Sequence, residues 1–325
     1  MSFLVLGVLA FLASWLGTRL ARAYALRQQL IDTPDDPRRN HLRATPRGGG
    51  IAMVVVMLAA CLWLAFTDQL AWLWLGLGLA LVGGIGWWDD HRPLAARWRL
   101  LVHVIAAGSL ALAGLGFGWP WWLVLGAFFA AVVLTNIWNF MDGIDGIAAS
   151  QAMLIAAAIA WLLAPGVIQG FALVVALAVA GFLPWNFPKA KIFMGDVGSG
   201  ALGYVMAALW AMGFAEDVRL GWLLLLPFSA FLIDASLTLL RRILRRERWW
   251  QAHSTHSYQL WARRLRSHVP VSLAYASWTA AGIIGACLLA DASLLRILLA
   301  VGIVCLAGVV CWFAIRTWNA QRSRA

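Results

Sequence analysis

What confines this chain most is the recurrence, from one end to the other, of apolar stretches of roughly 16 to 22 residues, each about long enough to cross a ~30 Å hydrocarbon core. Eleven are expected, at about 2–22, 50–67, 70–88, 99–116, 119–137, 147–164, 166–185, 199–214, 219–240, 271–290 and 292–314. Backbone groups cannot be left bare in lipid, so stretches of this length read as helices. Charged residues make up only 12% of the 325 residues, about half the share of a soluble domain. The expected fold is an all-α polytopic membrane protein with about 11 transmembrane helices, one integral-membrane domain over residues 1–325.

The first stretch has no basic leader and is followed by Arg19 and Arg22 rather than a small-residue cleavage site, so a retained helix is expected. Cys61, Cys287, Cys305 and Cys311 all fall inside stretches without metal-type spacing, which fits small apolar packers. Many of the 21 tryptophans, such as Trp87–Trp88 and Trp121–Trp122, sit near stretch ends, where interfacial rings belong rather than a stacking platform.

The net charge of +11 could suggest nucleic acid, but its placement argues for a membrane. Of the 25 basic residues, all but Arg219 and Arg296 fall on alternate loops and the C-terminal tail. The positive-inside rule assigns these loops and the C-terminus to the cytoplasm and the N-terminus to the periplasm, as an odd number of spans requires. No nucleic-acid partner is expected; the partners are membrane lipid and whatever the polar loops bind. Those loops lie at about 23–49, 89–98, 138–146, 186–198 and 241–269; they hold most of the acids, and all six histidines lie in or beside them. Carboxylates at membrane depth are expensive unless solvated or paired. One could be a structural ion pair; a concentration on one face favours function.

Loop 23–49 contains Asp32-Thr-Pro-Asp-Asp-Pro-Arg-Arg-Asn-His-Leu-Arg-Ala-Thr-Pro-Arg-Gly-Gly-Gly50. Arg38, Arg39, Arg43 and Arg47 beside His41 suit a phosphate or headgroup surface, although charge alone would also fit an ordinary cytoplasmic loop. The prolines stiffen it, and Gly48–Gly50 permit a close backbone approach. Loop 89–98 opens on Asp89–Asp90; adjacent carboxylates need a cation or a base role to be tolerated when partly buried. That fits a divalent-metal site or a proton acceptor.

Asn136, Asn139, Asp142 and Asp145 recur every third residue and would line one face of a helix; a packing stripe would favour smaller residues. Loop 186–198 carries Asn186 and then Phe193-Met-Gly195-Asp196-Val-Gly198-Ser199-Gly200. Glycines around an acid at a helix start present backbone N–H groups to a phosphate while the acid holds its metal. In loop 241–269, His253 and His256 would share a face if helical. A zinc pair lacks a third soft ligand, so phosphate contact suits them better.

Together these segments resemble the polyprenyl-phosphate N-acetylhexosamine-1-phosphate transferases of glycosyltransferase family 4, relatives of phospho-N-acetylmuramoyl-pentapeptide transferase. The resemblance rests on Asp32–Gly50, the Asp89–Asp90 pair, Asn136–Ala148, Asn186 with Phe193–Ser199, and Asp234, in family order over about residues 30–260. It implies a Mg²⁺ ion (Mn²⁺ substituting) held by Asp196 and Asp90, a UDP-N-acetylhexosamine donor, undecaprenyl phosphate as acceptor and UMP as leaving group. It implies catalytic roles for Asp89, Asp90, Asp142 and Asp145, with Asp89 taking the acceptor's proton. Substrate binding would fall to Arg38, His41, Arg47, Arg97, Asn136, Asn139, Asn186, Gly195, Ser199, His253 and His256. A bacterial inner-membrane location with a cytoplasmic active site is implied, and a homodimer is compatible with it. The family's last loop commonly carries a denser histidine cluster. Here His-Ser-Thr-His-Ser-Tyr258 leans toward initiation of O-antigen on a 6-deoxy amino sugar, N-acetylfucosamine or N-acetylquinovosamine, with N-acetylglucosamine as the other donor.

The rival class is a membrane transporter or flippase of a polyprenyl-linked or anionic substrate, which would spread polar residues through several mid-span positions. A CDP-alcohol phosphotransferase is excluded, because Ser150 stands where its motif needs arginine and the following stretch has no aspartate.

Overall fold

The computed structural model describes residues 3–32, 44–248 and 253–322. In chain order the elements are α1 (Phe3–Arg27), β1 (Ile31–Asp32), β2 (Thr45–Pro46), α2 (Ile51–Thr67), α3 (Ala71–His91), α4 (Ala96–Gly116) and α5 (Trp121–Met141). There follow α6 (Ile147–Leu162), α7 (Val167–Asn186), α8 (Asp196–Glu216), α9 (Val218–Leu223), α10 (Leu225–Leu244), α11 (Ser257–Leu265), α12 (Val269–Leu288) and α13 (Leu294–Arg322). Among the described residues, 9 helices are long and apolar enough to cross a membrane, α9 and α10 counting as one, and α2 and α6 are shorter apolar helices. Each of the eleven expected stretches is thus a helix of a polytopic all-α bundle. The antiparallel β1–β2 pair, Ile31 opposite Pro46 and Asp32 opposite Thr45, is a small clasp on loop 23–49.

Helix α8 is the axis. It is buried almost throughout and packs against α5 and α3. Its small residues make this possible, since helices in lipid gain mainly from close packing. Gly203 lies against the backbone of Leu134 and Thr135, and Gly198 against Gly50. Replacing Gly203 by leucine would force α5 off α8. Two details depart from the expected spans. The stretch 219–240 is interrupted at Leu224, because Pro227 has no N–H to continue the ladder into the preceding turn. Loop 241–269 is not open chain throughout: its second half is the short helix α11.

All five polar loops meet at one end of the bundle. Loop 23–49 is stitched to loop 186–198: Gly49 N–H donates to Phe193 C=O and Gly50 N–H to Met194 C=O, both at 2.9 Å, while Phe193 N–H returns to Pro46 C=O at 2.8 Å. Any side chain at Gly50 would collide with Gly198, so the glycine run serves this close approach.

Candidate active site

Asp90 stands in the last turn of α3, 2% exposed, and its position follows from Gly86 one turn earlier, which lets α3 abut the backbone of Asp196. Its Oδ1 accepts the Asp196 N–H at 3.1 Å and its Oδ2 the Val197 N–H at 3.2 Å. A carboxylate is favoured there because unpaired N–H groups give a helix start a positive partial charge. Gly195, at φ +76°, sits against that carboxylate and leaves no room for a side chain. The expectation that these glycine-framed amides face a phosphate is therefore corrected. Two are taken by Asp90, and those of Gly198 and Ser199 turn back to Gly195 C=O, both at 3.1 Å. A buried carboxylate must find donors, and these are the nearest.

Asp89 points to the other side of α3. Its Oδ1 accepts the Leu94 N–H at 2.5 Å, and its Oδ2 the Arg99 guanidinium at 3.0 Å. The same Arg99 Nη1 donates to Asp196 Oδ2 at 2.6 Å. Arg99 thus bridges Asp89 and Asp196 from the first turn of α4.

The asparagine–aspartate stripe is only half helical. Helix α5 ends at Met141, so Asn136 and Asn139 lie on it, whereas Asp142 and Asp145 lie on the non-helical turn beyond. Asn139 donates to Ser199 Oγ at 3.1 Å. Gly146, at φ +74°, turns the chain into α6, and its N–H donates to Asn186 Oδ1 at 2.9 Å. Asn186 also donates to Ile192 C=O at 3.1 Å. Its amide is therefore a buried staple between two loops. Asp145 is held by Ala190 N–H at 3.2 Å and by His268 Nδ1 at 3.2 Å.

Apart from Asp89, Arg99 and Asn136, which do not line it, the polar side chains above border a cavity of about 210 Å³ to which every polar loop contributes. Asp32 and Arg47 come from the first, Asp90 from the second, and Asn139, Asp142 and Asp145 from the third. Asn186, Gly195, Asp196 and Ser199 come from the fourth, and Gln259 and His268 from the fifth. Among the described residues no donor is aimed at the Asp142 carboxylate. Burial, and then the charges of Asp196, Asp90 and Asp145, push its pKa up to about 8. Excess negative charge in an oxygen-lined cavity suits a hard divalent cation. No three acidic or histidine groups among the described residues are already gathered as a coordination shell. The donor chemistry fits the ion, with Arg99 supplying the positive charge between Asp89 and Asp196.

Several expected site residues lie elsewhere. Arg97 is exposed, its guanidinium 5.5 Å from the Trp98 ring. Asn136 is one turn deeper than Asn139, with its amide on Val132 C=O at 2.7 Å. His253 and His256 do not line the cavity, nor do they share a helix face: His256 is the cap before α11 and His253 precedes it. Their rings stack at 4.9 Å beside Asp234. Burial lowers both histidine pKa values, that of His253 to about 4. Asp234 accepts Ser257 N–H at 2.8 Å, Tyr258 N–H at 3.0 Å, Tyr275 O–H at 2.7 Å and Thr238 O–H at 3.2 Å. It anchors the start of α11. Arg38 and His41 lie outside the described residues.

Sequence reasoning passed over Arg99, Gln259 and His268. Arg99 carried a usable signal, since a cation in the first turn of a helix opposes the helix dipole and needs an acidic partner. Gln259 had one as well: it stands three residues after the cap of α11, and its side-chain oxygen accepts the His256 N–H at 3.2 Å. His268, paired only through the tertiary fold, had none.

An oxygen-donor pocket at one end of a polytopic helical bundle, walled by carboxylates and a Gly-Asp helix start, defines an integral-membrane protein with a candidate site for a divalent cation. Residues 71–214 match the model of glycosyl transferase family 4. The chain is 29% identical over 262 residues to a probable undecaprenyl-phosphate N-acetylglucosaminyl 1-phosphate transferase of Bacillus subtilis, covering 74% of this chain and 73% of that protein. It is 31% identical over 240 residues to a phospho-N-acetylmuramoyl-pentapeptide-transferase of Thermosynechococcus vestitus, covering 65% and 62%. It is 30% identical over 242 residues to a decaprenyl-phosphate N-acetylglucosaminephosphotransferase of Mycobacterium leprae, covering 63% and 59%. Of the last two relatives it thus spans less than two thirds. Over residues 71–214 the chain is thus similar to glycosyl transferase family 4, and the likeness to these transferases extends beyond that segment.

Proposed function

We propose that the chain transfers an N-acetylhexosamine-1-phosphate from a UDP-sugar to undecaprenyl phosphate and releases UMP, at the cytoplasmic face of a bacterial inner membrane. The observation that carries this reading is the convergence of Asp90, Asp142, Asp145 and Asp196 from three loops on one cavity. Its support is the set of relatives, whose printed activities are all transfers of this kind.

Asp196 and Asp90 would hold Mg²⁺, which when bound supplies charge neutralisation for a diphosphate. The chain's own residues account for the remaining work. Arg47, the arginine of the cavity wall, faces the phosphates. Asp89 takes a proton from the acceptor phosphate, whose oxygen attacks the sugar-linked phosphorus while the bond to UMP breaks. The Asn139–Ser199 bond and the Asn186 staple fix the walls, so that the reacting groups are positioned rather than gathered during the reaction. The product is a sugar linked through diphosphate to the lipid, the first step of an O-antigen or related polysaccharide.

Detergent-purified protein is incubated with Mg²⁺, undecaprenyl phosphate and a panel of UDP-N-acetylhexosamines that includes the 6-deoxy sugars. A lipid-linked product together with UMP is expected, and the panel names the donor. Movement of lipid across vesicles without UMP release would instead favour a flippase. A radiolabelled phospho-aspartate trapped on the protein would overturn direct attack.

A further inference from the structure

We propose that Arg99 is an internal counter-ion that exchanges with the divalent metal: it holds Asp89 and Asp196 together in the metal-free protein and gives up Asp196 when the ion binds. This rests on the reading of Asp196 as the metal ligand. The geometry that carries it is the single guanidinium nitrogen shared between Asp89 Oδ2 at 3.0 Å and Asp196 Oδ2 at 2.6 Å.

Three observations make this more than an ordinary ion pair. Arg99 lies in the first turn of α4, where the helix dipole disfavours a cation, and its two acidic partners offset that cost. Its two partners differ in what else holds them. Asp89 keeps the Leu94 N–H at 2.5 Å when Arg99 is set aside, whereas no other donor to the Asp196 carboxylate is found among the described residues. Asp196 is therefore the carboxylate that Arg99 can release toward a competing cation, and Asp89 the one on which it stays. Thirdly, Asp90 makes no ion pair with Arg99: its two oxygens each accept one N–H from the start of α8, so the exchange concerns Asp196 and leaves Asp90 in place.

The exchange has a direction that a substrate-binding arginine would not share. Removing Arg99 eliminates a competitor and leaves the carboxylates of the cavity less compensated, so divalent affinity must rise. An arginine that served only the nucleotide would leave metal affinity in the absence of nucleotide unchanged. Lysine at this position keeps the charge but lacks the planar fork, and it should hold Asp196 more weakly.

The test is a Mn²⁺ titration of the purified, nucleotide-free protein, followed by the loss of the free-ion paramagnetic resonance signal. Arg99→Gln is expected to bind Mn²⁺ about tenfold more tightly than wild type, which is about 1.4 kcal/mol, and Arg99→Lys severalfold more tightly. Asp196→Asn is expected to abolish specific binding. Unchanged or weaker binding in the Arg99 variants, with Asp196→Asn still abolishing it, overturns the exchange and leaves the metal assignment standing. Wild-type binding in Asp196→Asn overturns both. Should Arg99→Gln fail to fold, Arg99→Lys, which retains the cation, carries the same decision.

Discussion

Asp142, half-buried, and Asp234, buried, lie near the same end of the bundle, yet they live in opposite circumstances. Four donors converge on Asp234, two from the backbone of α11 and two from the hydroxyls of Tyr275 and Thr238. None among the described residues is aimed at Asp142, which faces a cavity and other carboxylates, and its pKa rises to about 8. A satisfied acid is a fastener; an unsatisfied one is waiting for a ligand. The contrast separates the aspartate cavity from the α11 cluster more sharply than residue type does, because both contain histidine and aspartate.

The largest effect should fall on the cavity. Asp196→Asn is expected to lower turnover at least ~10³-fold by removing the anchor for charge stabilisation, read as lipid-linked product from radiolabelled donor. Asp142→Asn should lower turnover by ~10²-fold without lowering the midpoint of unfolding in detergent. Asp234→Asn should do the reverse. It is expected to cost ~2–4 kcal/mol of stability, since hydrogen bonds to a charged group are weakened at the start of α11, while Mn²⁺ binding persists. Turnover loss in Asp234→Asn without loss of stability would erase the distinction.

The two regions should also respond oppositely to pH in the metal-free protein. Asp142 moves from 3.8 unfolded to about 8 folded, so between these values the native state binds more protons. Its contribution to stability is full at low pH and falls as pH rises, levelling above 8. His253 moves the other way, from 6.5 to about 4, so its contribution is full above 6.5 and falls as pH drops toward 4. Unfolding midpoints of Asp142→Asn and His253→Gln across pH 4 to 9 should each lose one of these slopes. The smallest effect is Tyr275→Phe: loss of one buried bond to Asp234, ~1–2 kcal/mol, with turnover changed less than twofold.

Much of this was legible in the chain beforehand, for reasons that differ by element. The spans were, because hydrocarbon thickness imposes a length on every helix that crosses it. The grouping of Asp90, Asp142, Asp145 and Asp196 was, because acids clustered on one face need a common explanation. Their neighbours were not. That Asp90 caps α8, that Asn186 staples Gly146 to Ile192, and that Asp234 is a fastener all depend on contacts between distant segments, which no local pattern encodes. Helical period also misled: the three-residue spacing of Asn136 to Asp145 continues past Met141, where the helix stops.

The clasp between Gly49–Gly50 and Phe193–Met194 has a consequence for how the molecule is made. Loop 23–49 emerges from the ribosome early, but the carbonyls it needs arrive only with α8. Asp145 waits longer still, for His268, 123 residues further along the chain. Until α12 has inserted, the acidic cavity has no finished wall, and the nascent chain must carry its carboxylates without the partners that make them tolerable. The site is thus assembled last, by the same late helices that close the bundle.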